Sequence, residues 1–210
     1  MSGQTIITIS RQFGSGGKEI AEKLAKELNI PFYDRELIEL AAKESGINED
    51  LFEDEEFCSS RGYYLLGAIG FTLGSSITSI SEMSINDRLF AVQSETIEHI
   101  AEQGSCIIVG RCADYVLRNR TDTLSIFIHA DIRTRKERAI HVYAMDERNI
   151  ESGIRKIDKR RANYYEYYTD RKWGEAAYYD LVLDSGIFGI DGCVALIQAA
   201  LQEKDSYLNK

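Results

Sequence analysis

The chain has one proline, Pro31, in 210 residues, and no stretch rich in glycine, serine and proline. Domain boundaries usually fall in such linkers. The expectation is therefore one continuous domain with insertions rather than two independent units. Cysteine is also scarce. Cys58, Cys106, Cys112 and Cys193 include no C-x-x-C pair, which argues against a zinc ribbon and a thioredoxin-type site. Reduced thiols in a cytoplasmic protein are the expectation. Positive charge is in deficit, with 25 Lys and Arg against 34 Asp and Glu and a net charge of −9. Wrapping a long nucleic acid needs an excess of cations, so such a partner is not expected. The N-terminus shows neither the cationic start nor the apolar core of a secretory signal. The one long uncharged stretch, residues 62–81, contains Gly70-Phe71-Thr72-Leu73-Gly74, a spacing found on membrane helix faces. It also holds six Ser or Thr and four Gly, too polar for a span. No membrane association is expected, and the stretch is a candidate for a contact between copies of the chain.

What is present reads as a globular core, since 44% of residues are hydrophobic and 28% charged. Four short runs are β-branched and nearly continuous: Ile6-Ile7-Thr8-Ile9, Cys106-Ile107-Ile108-Val109, Leu124-Ser125-Ile126-Phe127-Ile128 and Leu181-Val182-Leu183. Strands buried on both faces read this way. Ile30-Pro31-Phe32-Tyr33 is a weaker fifth. Helical periodicity lies between them, in Ile20, Leu24 and Leu28, in Ile85, Leu89, Val92 and Ile100, and in Val194, Ile197, Ala200 and Leu201. Ser84, Asp131 and Asp191 are the expected caps. Strands alternating with helices imply βαβ crossovers and a parallel sheet. Ligands of such sheets bind beyond the carboxyl ends of the strands. Residues 10–18, Asp34-Arg35, Gly110-Arg111 and Asp184-Ser185 therefore become the functional candidates.

The strongest local signal is Ser10-Arg11-Gln12-Phe13-Gly14-Ser15-Gly16-Gly17-Lys18-Glu19, between the first strand and the first helix. Glycines let successive amides turn inward around an anion, and the helix terminus and Lys18 add positive charge. The match to G-x-x-x-x-G-K-[ST] is imperfect. With Gly17-Lys18 as the G-K pair, the first glycine falls on Gln12 and the hydroxyl on Glu19. Shifted one residue back, the lysine falls on Gly17 and the hydroxyl on Lys18. Either way the hydroxyl that usually helps to hold Mg²⁺ is missing, and Glu19 would repel a triphosphate unless a cation lay between them.

The loop, together with Pro31-Phe32-Tyr33-Asp34-Arg35, Val109-Gly110-Arg111-Cys112-Ala113-Asp114-Tyr115, Asp158-Lys159-Arg160-Arg161 and Tyr179-Asp180-Leu181-Val182-Leu183-Asp184, resembles the cytidylate kinase-like family, a branch of the P-loop nucleoside-monophosphate kinases. The resemblance covers almost the whole chain. It implies an α/β, three-layer P-loop NTPase fold, with a central parallel sheet of about five strands flanked by helices. The core would comprise residues 1–33, 86–147 and 175–210. A helical acceptor-binding insert would span about 34–85 and a lid about 148–174. The implied activity is ATP-dependent phosphoryl transfer, with Mg²⁺, to a small nucleotide of the cytidylate type. Donor phosphates would lie on Gly14, Ser15, Gly16, Gly17, Lys18 and Glu19. Arg111 would hold the acceptor phosphate. Lys18 and the lid arginines Arg160 and Arg161, with Asp158 beside them, would serve the transfer.

Other readings stay open. Asp34 and Arg35 follow the second strand and suit an acceptor or metal contact as well as a helix cap. Asp114 falls in the first turn of a helix, where the dipole alone favours a carboxylate. Residues 133–172 hold 12 Lys or Arg against 7 Asp or Glu, and six of the twelve tyrosines fall in residues 164–179. This suits a lid, a solvated basic helix or a single-strand stacking surface. Residues 49–56, with six acids in eight, read as a solvated face. His99, His129 and His141 lie far apart and read as structural. The missing loop hydroxyl keeps a second function in view, a nucleotide-binding regulatory domain that has lost catalysis.

Overall fold

Continuous β-branched strands need cover on both faces, and the fold supplies it. The computed structural model describes residues 4–34 and 85–208. Five strands, β1 (Ile6–Arg11), β2 (Phe32–Tyr33), β3 (Cys106–Val109), β4 (Thr123–His129) and β5 (Leu181–Asp184), pair in parallel in the order β2-β3-β1-β4-β5. Between and after them run α1 (Gly17–Leu28), α2 (Ile85–Gln103), α3 (Ala113–Val116), α4 (Ile132–His141), α5 (Ile150–Thr169), a 3₁₀ turn at Ala176–Tyr178 and α6 (Ser185–Leu208).

Alternate strand residues face opposite layers. Ile7, Ile9, Ile107, Val109, Ile126 and Ile128 pack against Ile20 and Leu24 of α1 and Val194, Ile197 and Leu201 of α6. Ile6, Cys106 and Ile108 face the other way, against Ile97, Ile100 and Ala101 of α2 and Ala113 and Leu117. A smaller cluster, with Ala139, Ile150 and Ile154 at its centre, joins α4 to α5 and takes in Phe13 at the tip of the glycine loop. The central strand β1 lies between β3 and β4. The chain therefore leaves its two sides in opposite directions, and a crevice opens beyond its carboxyl end.

The expected strands are all present, with β1, β4 and β5 extended by one or two residues. The weak fifth run contributes two strand residues, Phe32 and Tyr33. Pro31 has no N–H to donate, although its carbonyl accepts from Ile107 at 2.9 Å. Asp131 caps α4 as expected, accepting from the amides of Arg133 and Thr134 at 2.8 and 3.0 Å. Asp191 does not cap the last helix. Helix α6 starts at Ser185 and breaks at Gly189 (φ 67°), while the Asp191 carboxylate pairs with Lys23 at 2.6 Å. Arg35, Cys58, Ser84, the acidic run and the uncharged stretch 62–81 lie outside the described residues.

Ser185–Lys204 is long and apolar enough by length and composition to cross a membrane. In this fold Cys193, Val194, Ile197 and Leu201 of that run are buried against the sheet and α1, while Ile187, Phe188 and Leu196 are exposed.

Two outcomes follow from this packing. Leu24→Ala, at a fully buried position, will destabilise the protein by about 2–5 kcal/mol, read as a lower denaturation midpoint. Burial pushes the Cys106 thiol up to about 12 and Cys193 up to about 11, and raises Cys112 as well. The thiolate is the reactive form. Peptide mapping after alkylation at mildly alkaline pH will therefore find these three cysteines unmodified in the native protein and modified in denaturant.

Candidate active site

The glycine loop connects β1 to α1, and its shape depends on backbone that side chains rarely permit. Gly14 has φ 77° and Gly16 φ 75°, both in the left-handed region. A Cβ on Gly14 would meet the Arg135 carbonyl oxygen at 2.6 Å, and one on Gly16 would meet Ile190 Cδ1 at 2.6 Å. Gly16 also occupies the cap position of α1 without a side-chain acceptor. The first amides of α1 thus have no intrahelical partner and carry the positive end of the helix dipole.

Contacts from four other segments hold this loop. The Gln12 amide donates to the Ile128 carbonyl of β4 at 3.0 Å. The Phe13 amide donates to Asp158 Oδ1 of α5 at 2.8 Å, and the Phe13 carbonyl accepts from Arg135 Nε of α4 at 2.7 Å. Arg135 and Asp158 are themselves ion-paired. The Ser185 hydroxyl donates to the Ser15 carbonyl at 2.5 Å. Arg161 Nη1 donates to the Arg11 carbonyl at 3.2 Å. Both polar groups of the Phe13 peptide are occupied, so the loop is braced from behind.

Glu19, which replaces the usual hydroxyl residue, does not face the loop as a bare anion. Arg138 Nη1 lies 2.6 Å from Glu19 Oε2. The Arg138 guanidinium carbon would sit 3.0 Å from a Cβ on Gly16. The repulsion expected between Glu19 and a polyphosphate is therefore offset by a neighbouring guanidinium rather than left to a metal alone.

The loop forms part of a cavity of about 790 Å³. Lys18, Asp34, Arg111, Arg160 and Arg161 also line it, as do Tyr143, Tyr164, Tyr165, Tyr167, Tyr168 and Trp173. Asp34 lies 3.3 Å from both Lys18 Nζ and Arg11 Nη2 and is the acidic side chain of this cavity among the described residues. Arg111 reaches the cavity through a strained turn. Gly110, Arg111 and Cys112 have φ of 76°, 58° and 56° in succession, and the two non-glycine positions cost about 1–3 kcal/mol each. The Arg11 guanidinium fills the space where a Gly110 side chain would go.

Asp114 and Asp158 lie behind the cavity rather than on its surface. Asp114 is buried, accepting from the Tyr165 hydroxyl at 2.6 Å and the Ser10 hydroxyl at 3.3 Å. Burial raises its pKa, while those two hydroxyls and the charge of Arg171 pull it back. Asp114 thereby ties α5 to β1. Of the sequence candidates, Gly14, Gly16, Gly17, Lys18, Asp34, Arg111, Arg160 and Arg161 share one cavity. Ser15 is buried in the loop, with its hydroxyl on the Gln12 carbonyl, and Glu19 is paired with Arg138. Arg35 lies outside the described residues. Sequence reasoning missed Arg135 and Arg138. They sit three residues apart after a capped helix start, and that spacing puts two cations on one helix face.

The groups present suit a nucleoside polyphosphate. The glycine cradle and Lys18 fit its phosphates, and the arginines fit further phosphate oxygens. Mg²⁺ keeps several waters and needs only one or two carboxylates beside substrate phosphates, a requirement that Asp34 meets.

The cytidylate kinase-like family matches residues 6–187. Among solved structures, an uncharacterized protein from Eubacterium ventriosum is similar at 28% identity and TM-score 0.71, over 95% of this chain and 99% of that one. Shikimate kinase from Bacteroides thetaiotaomicron is similar at 13% identity and TM-score 0.55, over 95% and 99% of the two chains. A gluconokinase from Sinorhizobium meliloti is similar at 13% identity and TM-score 0.55, over 99% and 98%. These last two likenesses are of fold alone. No curated protein matches.

The buried carboxylate sets a pH dependence. A carboxyl whose folded pKa is raised favours the native state most below its unfolded value of 3.8, and that contribution is lost as pH rises through the folded value. Measured by denaturant titration across pH, wild type will therefore lose stability relative to Asp114→Asn as pH rises from acid. The difference will level off once the folded-state carboxyl is ionised.

Proposed function

Since the chain belongs to the cytidylate kinase-like family, we propose that it is an ATP-dependent kinase that transfers the γ-phosphoryl group to a nucleoside monophosphate of the cytidylate type. The observation that carries this reading is the single cavity in which the glycine loop meets Lys18, Arg111, Arg160 and Arg161.

Phosphoryl transfer asks a protein mainly for positioning and charge stabilisation. The free amides at the start of α1 and the ammonium of Lys18 would hold the donor phosphates. Asp34 keeps Lys18 at the loop in the absence of substrate, by the 3.3 Å contact. Arg111, aimed by its strained turn, would grip the acceptor phosphate with a planar fork. Arg160 and Arg161 of α5 would stabilise the transferred group and exclude water. Asp114 and Asp158 serve by holding α5 and the loop in register. Asp34 is the carboxylate that would hold Mg²⁺, which would supply charge neutralisation on the donor phosphates. Small nucleotides are the partners in this reading, and the cytoplasm, where they are made and used, is its location.

The pairing of Glu19 with Arg138 favours a second reading, a domain that binds nucleotide without transferring phosphate. A coupled assay with ATP, Mg²⁺ and a panel of monophosphates separates the two. The kinase reading expects turnover that falls about 10²–10³-fold in Lys18→Ala, the usual effect of deleting one stabilising donor. ATP binding by calorimetry with no product from any acceptor would instead establish the regulatory reading.

A further inference from the structure

One wall of the cavity is aromatic, and the chemistry of phosphate transfer leaves it unexplained. Tyr164, Tyr167 and Tyr168 line the cavity from the last turns of α5. Their spacing of three and four residues makes them neighbours on one helix surface. Phe90 of α2 supports them from outside the cavity lining, stacked on Tyr168 at 4.2 Å with an angle of 8° and edge-on to Tyr164 at 6.4 Å. Tyr164 and Tyr168 lie 4.8 Å apart. The rings thus form one braced layer rather than separate mobile side chains. At its margin Tyr167 stands edge-on to Tyr168 at 4.8 Å and is 72% exposed.

A large ring that is fixed on one side and open to a cavity on the other suits a flat partner. Stacking is tolerant of which ring arrives, because every base has a π-face. A polyol or sugar acid would call instead for convergent donors, acceptors and charges. Among the described residues the neutral polar neighbours of these rings in the cavity are Asn86 and Asn163. Arg160 and Arg161, a turn earlier on α5, are the cations assigned to the transferred group, and Asp34 is engaged with Arg11 and Lys18. We propose that Tyr164, Tyr167 and Tyr168 are the platform on which the acceptor's base stacks, with Tyr167 closing over the ring. They are then specificity-determining residues that select for a planar ring over non-planar acceptors such as shikimate and gluconate. The proposal rests on the kinase reading above and adds to it the means of holding the acceptor.

The experiment compares CMP with ribose 5-phosphate, which keeps the sugar and the phosphate but lacks the base. Trp173 is the only tryptophan of the chain and lines the same cavity, so its fluorescence reports binding without requiring turnover. Wild type is expected to bind CMP at least about tenfold more tightly than ribose 5-phosphate, a typical worth for one stacked base. Tyr167→Ala will weaken CMP about tenfold and leave ribose 5-phosphate within about twofold. Tyr167→Phe will restore the preference, since the ring and not the hydroxyl does the stacking. The exposure of Tyr167 makes its truncation safe for folding. Equal affinity of wild type for the two ligands, or equal loss of both in Tyr167→Ala, would overturn the platform. Efficient phosphorylation of gluconate or shikimate in place of monophosphates would overturn the platform together with the cytidylate-type acceptor. CMP turned over by Tyr167→Ala with an unchanged KM would overturn the platform alone and leave the kinase reading standing. Failure of the kinase reading looks different: ATP itself does not bind, or binds equally well to Lys18→Ala, and the platform falls with it.

Discussion

The grip of Arg135 and Asp158 on the backbone of one residue, Phe13, is the contact on which the site depends. A loop with three glycines in four residues has more freedom to lose than a loop of ordinary residues of the same length. Left alone it would not keep its amides converged on an anion. Here the Phe13 carbonyl is fixed by a guanidinium and its amide by a carboxylate, and those two side chains neutralise each other. One guanidinium comes from the helix after β4 and one carboxylate from α5. The same contact therefore places the arginine-bearing helix against the loop. The glycine loop and Arg160 and Arg161 are thus positioned together.

Charge is used locally. The chain carries a net −9, yet the charged residues that line the cavity are mostly cationic. The acids in it and behind it are spent in pairs, Asp34 with Lys18 and Arg11, Glu19 with Arg138, and Asp158 with Arg135. The pairings differ in burial: Arg135, paired with Asp158, is buried, whereas Lys18 stays open to solvent. Lys18 keeps 46% of its side chain exposed despite its contact with Asp34. It can exchange a carboxylate for a phosphate at little cost, because exposed pairs contribute only about 0–1 kcal/mol.

Much of this could be read from the residues. Four β-branched runs and a weaker fifth pointed to parallel strands, because continuous runs of that kind make sense only when buried on both faces. The glycine loop announced itself by its place between a strand and a helix. Arg111, Arg160 and Arg161 were found through motifs and share the cavity. What escaped was everything that depends on tertiary pairing. The first-turn place of Asp114 and the resemblance that set Asp158 beside the lid arginines gave no sign of the contacts these carboxylates make, Asp114 with Tyr165 and Ser10 and Asp158 with the Phe13 amide and Arg135. Arg138 left no signal until Glu19 was seen against it. Asp191 has a cap's sequence context, but Lys23 of α1 claims its carboxylate, a contact across 168 residues.

That range of sequence separation has a consequence for how the site comes into being. The bonds that shape the loop join residues 104 apart at Ser10 and Asp114, 145 apart at Phe13 and Asp158, and 170 apart at Ser185 and Ser15. Local sequence cannot set such a loop, and it acquires its form only when the last strand has been laid down. Loop-closure entropy of that kind delays assembly rather than weakening the finished fold. A ligand that recognises only the completed cradle then acts as a clasp between the two ends of the chain. Its binding raises the stability of the whole molecule in proportion to the logarithm of its concentration over its dissociation constant, and the nucleotide pool becomes a term in the protein's own folding equilibrium.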